Sequence, residues 1–411
     1  MVRFTARNYA RIAQAALTRT VPVYAHFGIT HRCNLTCKMC GIWRYGNEKE
    51  ELSVPQLQEV AARMARIGVV QVSIGGGEPF AVQHLEDAAE AFISNGLNLR
   101  ILTNGIGEGN GRNVVQGKRY LDRIDRCIDL GVKNFSISLD SLYPARFDYI
   151  CEVEGAWNDA VKTMTHIGQR LHGVPGSLPT INCVVSNLNL EELPDMVRFA
   201  REIGFAISFL PVELLAQSTD GVQNWEGRFI RYRPEMGVYH ADTPDEVKAR
   251  VDHAYAQLIR MKAEGWPILN STPYLEASRQ YLNTGRFPAE GCDAGRLYFS
   301  VAPNGQFTIC HRTVHQHKSF LDPDFEEYFA SVEYERKRLQ EVGTCEGCMR
   351  ACWIDTSSMF RTMRGFFETT RLTLTPRRHT PVDFNEARNW ARHDDVPIVP
   401  EMANKAAVPA K

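Results

Sequence analysis

The 411-residue sequence predicts an α/β protein: a partial (β/α)6 barrel followed by a C-terminal β-hairpin-plus-helix module. Three observations predict it. From residue 22 to about 212, short apolar runs rich in β-formers alternate with helical patterns, as in βα units that build a parallel sheet. The runs read as near-continuous apolar stretches, the pattern of strands covered on both faces. Polar or glycine-rich punctuation follows five of them, where open α/β folds carry their chemistry at the C-terminal ends of strands. Six units are too few to close an eight-stranded barrel, so the sheet is expected to stay open and curved.

The N-terminus, MVRFTARNYARIAQAALTRT, is basic and lacks a continuous apolar core, so it does not read as a secretory signal. It predicts an amphipathic helix with Phe4, Tyr9, Ile12 and Leu17 on one side and Arg3, Arg7, Arg11 and Arg19 elsewhere, packed on the protein. The strands are expected at 22–29, 69–75, 97–103, 133–139, 180–186 and 205–212. Between the first two lies a helix in which Val54, Leu57, Val60, Ala61 and Met64 recur at helical spacing, with Ser53 as its N-cap, Pro55 in its first turn and Gly68 as its stop. Residues 213–244 are polar and irregular, a linker or active-site loop, and a helix follows from about Pro244 to Glu264. A cysteine-rich stretch occupies 292–352, after which 365–411 gives few signals and ends in a tail expected to be disordered.

Hydrophobic residues make up 44% and charged residues 23%, an ordinary globular composition. A formal net charge of −1 offers no electrostatic footprint for nucleic acid, and no apolar run approaches the roughly 18 residues a transmembrane helix needs. Eight of the eleven cysteines form two groups, one at Cys33, Cys37 and Cys40, the other at Cys292, Cys310, Cys345, Cys348 and Cys352. Clustering and an odd count are the pattern of metal binding rather than of a disulfide framework, which implies a reducing, cytoplasmic setting. Cys127, Cys151 and Cys183 are scattered and read as small buried hydrophobes.

The first group, in HRCNLTCKMCGIW, has the spacing C-x3-C-x2-C. Three thiolates so close together can wrap one face of a [4Fe-4S] cluster and leave its fourth iron open to a substrate or cofactor. On spacing alone, a zinc site or three reduced structural thiols are the alternatives. One βα unit later comes Ile74-Gly75-Gly76-Gly77-Glu78-Pro79, then Thr103-Asn104-Gly105, then the strand bearing Ser136, Ser138 and Asp140. In this order the motifs resemble the radical SAM superfamily, over about residues 22–352. The resemblance implies that S-adenosylmethionine chelates the open iron. It assigns Gly76, Gly77, Glu78 and Pro79 to the methionine end, Asn104, Ser136 and Ser138 to the carboxylate and ribose, and Asn187 to the ribose or adenine. Taken singly, each is also ordinary turn chemistry. The residue before the third cysteine is often aromatic in the family and is Met39 here, which still offers a polarizable apolar cover.

The segment CDAGRLYFSVAPNGQFTIC reads as a β-hairpin with Pro303-Asn304-Gly305 at its turn, bringing Cys292 and Cys310 together. It resembles the start of a SPASM or twitch module, and Cys345-x2-Cys348-x3-Cys352 supplies further ligands. Five cysteines are too few for the two clusters of a full SPASM domain. A twitch-like iron–sulfur domain is therefore expected, holding one auxiliary [4Fe-4S] cluster on Cys292, Cys310, Cys345 and Cys348, with Cys352 spare or replacing Cys348. Zinc is again the alternative. His311, His315 and His317 read as solvated or hydrogen-bonding groups. The domain plan is an N-terminal extension (1–21), the barrel core (22–215), a linker and helix (216–285), the auxiliary domain (286–360) and a C-terminal extension (361–411).

The resemblance implies an enzyme that cleaves S-adenosylmethionine reductively and abstracts hydrogen from an unactivated C–H bond, with net oxidation or rearrangement assisted by the auxiliary cluster. The short stretch before the first strand leaves no room for a cobalamin or peptide-recognition region. That favours a small-molecule biosynthetic substrate, with modification of a ribosomally made peptide as the runner-up and a non-enzymatic electron carrier as a minor alternative. A flavodoxin- or ferredoxin-type reductant is the implied partner. Asp140, Glu213 and Arg312 are the candidate catalytic groups, Arg312 for a substrate carboxylate or phosphate. Tyr298, Arg296 and His311 are further candidates.

Overall fold

A computed structural model describes residues 6–107, 119–212, 222–223, 229–230, 245–287, 291–310, 317–345, 347–374 and 380–393. Helix α1 (Ala6–Thr18) leads into β1 (Tyr24–Thr30), α2 (Val54–Ile67), β2 (Gln71–Gly76), α3 (Leu85–Ser94) and β3 (Asn98–Thr103). There follow α4 (Arg119–Leu130), β4 (Asn134–Ser138), α5 (Pro144–Cys151), α6 (Ala156–Arg170), β5 (Thr180–Val185), α7 (Leu193–Glu202) and β6 (Ala206–Pro211). After the short pair β7 (Val222–Gln223) and β8 (Phe229–Ile230) come α8 (Asp245–Ala263), α9 (Thr272–Thr284), β9 (Tyr298–Val301) and β10 (Phe307–Thr308). The last elements are α10 (Phe325–Ala330), α11 (Val332–Gly343), α12 (Ala351–Arg361), α13 (Met363–Leu374) and α14 (Phe384–Ala387).

The six expected strands form within a residue or two of their predicted bounds, as does α8. They make one sheet in the order β10-β9-β1-β2-β3-β4-β5-β6, with β1 to β6 parallel. The hairpin of β9 and β10 forms around Gly305, whose φ of +81° is the left-handed turn position that favours glycine. Its strand β9 lies parallel to β1, with His26 opposite Ser300, so the hairpin extends the barrel sheet itself.

Each strand alternates. Ala25, Phe27, Ile29, Val72, Ile74, Leu99, Ile101, Phe135, Ile137, Ile181 and Ile207 are buried against the helices. Each such side chain larger than alanine contributes on the order of 1.5–3 kcal/mol. The residues of opposite parity face the inside of the curved sheet and are mostly polar, among them His26, Ser73, Arg100, Ser136, Asn182 and Ser208, with Leu102, Val184 and Leu210 as apolar exceptions. The strands were expected to be apolar on both faces; an interior lined by hydroxyls, amides and a guanidinium is instead suited to a polar occupant.

The open side is spanned by α12. Its Asp355 carboxylate accepts from the Ser271 N–H at 3.1 Å. Ser271 follows Asn270, which bonds Ser208 of β6. Two residues further along α12, Ser357 Oγ lies 2.8 Å from the Tyr298 hydroxyl of β9. One helical turn thus touches both flanks of the sheet.

Helix α2 begins at Ser53, whose N–H donates to Gln56 Oε1 at 2.9 Å, and stops at Gly68 with φ +104°. Helix α1 does pack on the protein, but by a different face from the one predicted. Asn8 and Ala15 are buried and Ile12 is half-buried, whereas Tyr9 is 58% exposed and Leu17 86%. The spacing i, i+4, i+7 is the reason: a small Ala15 lets the helix approach Val23 and Val70 closely, which the larger Leu17 would not. Phe4, Arg3, most of the 213–244 loop and the C-terminal tail lie outside the described residues.

Candidate metal and cofactor site

Where β1 ends, the loop carrying Cys33, Cys37 and Cys40 meets the glycine-rich loop after β2. The Gly77 N–H donates to the Thr30 carbonyl at 2.7 Å and the Glu78 N–H to the Arg32 carbonyl at 2.8 Å. A Cβ on Gly76 would stand 2.2 Å from the Thr30 oxygen, and one on Gly77 2.1 Å from the Arg32 oxygen. Glycine is needed here because two backbones touch. The bare faces of these glycines are turned to the cysteine loop. Arg32 fixes the same loop from outside through a two-point pair with Glu51, at 2.7 and 2.9 Å.

Glu78 is fully buried and accepts from Phe80 N–H at 3.1 Å, Thr103 Oγ1 at 2.8 Å and Asn104 N–H at 2.9 Å. Burial pushes its carboxyl up to about 7, against the pull of those three donors. Its role in the fold is to lock the β2 loop to the end of β3. From there Asn104 donates to Asn34 Oδ1 at 2.7 Å and accepts from Ile106 N–H at 2.8 Å, while Asn34 donates to the Ile106 carbonyl at 2.6 Å. Asn104 Nδ2 also lies 4.0 Å from Cys33 Sγ. Asn34 and Tyr120, which shares a 2.9 Å hydrogen bond with Thr103, were not singled out from the sequence. An asparagine inside HRCNLTC was the available signal for the first.

Burial raises the Cys33 thiol well above its ordinary range, with Glu78 adding to the effect. A hydrogen bond with Cys151 and then burial do the same for Cys37. Burial moves Cys40 up to about 11, although that residue keeps an open face to solvent. Any metal held by these thiols would therefore displace their protons. Among the described residues, no three His, Cys, Asp or Glu side chains converge as tightly as one bare ion requires. Three soft thiols in one short loop are a donor set that an iron–sulfur cluster takes.

The other expected groups line the same end of the sheet. Asp140 is buried after β4, accepts from Val184 N–H at 2.7 Å and is pushed up to about 7 by burial. Asn187 is buried after β5, and Met39 packs against Ile150 and Leu188. Ser138 ends β4, whereas Ser136 lies deeper and accepts from Arg100. Pro79 starts a buried 3-10 turn. Glu213 and Arg312 lie outside the described residues.

In the second group, Cys292 Sγ lies 3.1 Å from the Tyr298 hydroxyl, and burial raises the Cys292 thiol, with Cys345 close enough to add to the effect. Cys292, Cys310 and Cys348 share one apolar cluster with Tyr298, Val23 and Ala15 of α1. Four thiols are thus drawn to one region. Cys352 sits on α12, its side chain outside the described ones, as are His311 and His315. His317 is buried between Tyr328 and Glu341 at 2.7 Å each and is occupied there. Cys127, Cys151 and Cys183 are buried in the core, as expected. Arg350, between Cys348 and Cys352, lies near enough to act on both Cys40 and His26, so the two cysteine groups approach one another.

Residues 27–200 match the family described as the radical SAM superfamily, and this part of the chain is a radical SAM domain. PqqA peptide cyclase of Rhizobium meliloti (strain 1021) is 29% identical over 196 residues, 46% of this chain and 48% of that protein. The mitochondrial GTP 3',8-cyclase of Arabidopsis thaliana is 29% identical over 194 residues, 46% of this chain and 45% of that protein. The chain thus spans about half the length of these curated relatives. Streptococcus suis SuiB shares the fold with a TM-score of 0.54 at 15% identity, over 83% of this chain and 76% of that one. No helix among the described residues is long and apolar enough to cross a membrane.

Proposed function

We propose that the protein is a radical SAM enzyme in which Cys33, Cys37 and Cys40 hold a [4Fe-4S] cluster and S-adenosylmethionine takes the open iron. The supporting observation is the interlock of the cysteine loop, the Gly76–Gly77 loop and Asn104 through buried Glu78. When bound, the cluster and S-adenosylmethionine supply a 5'-deoxyadenosyl radical that takes hydrogen from the substrate. The residues of this chain orient and enclose. Glu78 fixes two strand-end loops, Ser138, Asn187 and Met39 line the nucleoside side, and Asp140 offers a carboxyl poised near neutral pH for proton transfer. Cys292, Cys310, Cys345 and Cys348 would hold one auxiliary [4Fe-4S] cluster, served with the first by a flavodoxin- or ferredoxin-type reductant.

A small-molecule biosynthetic substrate is the first reading, supported by the polar interior and by a GTP cyclase among the relatives. A peptide is the second, supported by the peptide cyclase relative and by SuiB, whose structure is also known bound to the precursor peptide SuiA. Anaerobic reconstitution tests the reading. Wild type should hold about eight irons, with S-adenosylmethionine perturbing the reduced EPR signal, and the Cys33→Ala/Cys37→Ala/Cys40→Ala variant about four insensitive ones. Zinc in place of iron, or a reduced cluster blind to S-adenosylmethionine, would refute it. Deoxyadenosine release then screens substrates of both classes.

A further inference from the structure

Arg100 is the third residue of β3, and its side chain shares the inner face of the sheet with Ser136 and Thr180. Its Nη1 donates to Ser136 Oγ at 2.9 Å and to Thr180 Oγ1 at 3.2 Å. Its Nε is buried with no hydrogen-bond partner, and among the described residues no carboxylate forms an ion pair with it. The residue keeps some accessible surface while protein surrounds it, as expected of a group lining an interior space. A cation held by two hydroxyls inside a protein is costly unless a counter-charge arrives. Bracing β4 and β5 needs no charge; a glutamine would serve.

We infer that Arg100 is the anchor of an anion site inside the curved sheet, binding a carboxylate or phosphate of the molecule that occupies this interior. Nη2, which neither hydroxyl engages, is the donor left for such a group. Arg100 lies four residues before Asn104 along β3, about 13 Å at roughly 3.3 Å per residue. The ligand class is thus an organic acid or phosphate ester, long enough to reach from that depth to the strand ends. This span rests on the proposed function, which puts the reacting carbon near the cysteine loop; the anion site itself does not.

The test is calorimetric titration of the full-length reconstituted protein with glutarate and, separately, with inorganic phosphate, on wild type, Arg100→Gln and Arg100→Lys. Wild type should bind at least one of them, and which one tells carboxylate from phosphate. Arg100→Gln should lose about tenfold in affinity, as expected for one charged hydrogen-bonded contact, and Arg100→Lys should recover most of it. Without ligand, Arg100→Gln should unfold at a temperature no lower than wild type. Absence of binding to wild type, unchanged affinity in Arg100→Gln, or equal loss in both variants would overturn the site. S-adenosylmethionine binding measured on the same samples reports separately: its absence from wild type defeats the proposed function and leaves the anion result standing.

Discussion

The Tyr298 hydroxyl of β9 and the Ser357 hydroxyl of α12 stand 2.8 Å apart, with Cys292 Sγ 3.1 Å from the same phenol. One side chain therefore joins the extended sheet, the helix that spans its open side and a candidate cluster ligand. Tyr298→Phe keeps the ring and removes both contacts. It should cost about 1 kcal/mol of stability, the usual net worth of a buried hydrogen bond, and alter the EPR signal of the auxiliary cluster alone. A changed S-adenosylmethionine-sensitive signal with an unchanged auxiliary one would contradict the assignment.

Gly77→Ala places a methyl 2.1 Å from the Arg32 carbonyl, so the cysteine loop must move. We expect a loss of about 1–3 kcal/mol, as for overpacked sites. Iron should fall by about half, because three cysteines per cluster must stay in register. Retention of full iron with an intact S-adenosylmethionine response would show that the loop contact is dispensable.

Asp355 is pushed up to about 6 by burial, against hydrogen bonds from Ser271 and Asn270. A carboxyl whose folded value is raised binds its proton more tightly when folded. Its contribution to stability is therefore full below the ordinary carboxylate value of 3.8 and is lost as pH rises through about 6. Asp355→Asn should flatten the stability profile between those limits. Thermal melts across that pH range read the difference, and identical slopes would refute it.

Helix α1 gives a direct contrast. Leu17→Ser should change stability by no more than about 0.5 kcal/mol, the range of exposed sites, whereas Ala15→Asp puts a charge into a fully buried position and should cost several times more. Equal effects in urea melts would reject the observed packing face.

Strand positions were legible because parallel strands concentrate β-formers between turn residues, and LNLRILT or KNFSISL announces itself without any partner. The candidate site was legible for a related reason: Cys33, Cys37, Cys40, Gly77 and Glu78 lie within short loops whose spacing is printed in the chain. What stayed hidden was long-range. Nothing local says that Tyr24 pairs with Tyr298, or that Asp355 and Ser357 reach opposite flanks of the sheet. The α1 face was misread because large side chains were given more weight than spacing, and a helix seated closely is better served by Ala15. Arg100 did leave a trace, as the one charged residue of its strand.

Because β9 is a full member of the sheet, the C-terminal cysteine region cannot be treated as a cassette. A chain cut before β9 would leave Tyr24, Ala25, His26 and Phe27 with bare backbone groups along β1, an invitation to edge-to-edge association. It would also remove the side wall of the chamber. Anyone grafting this region onto another barrel would have to carry β1, and the alternation of its side chains, along with it.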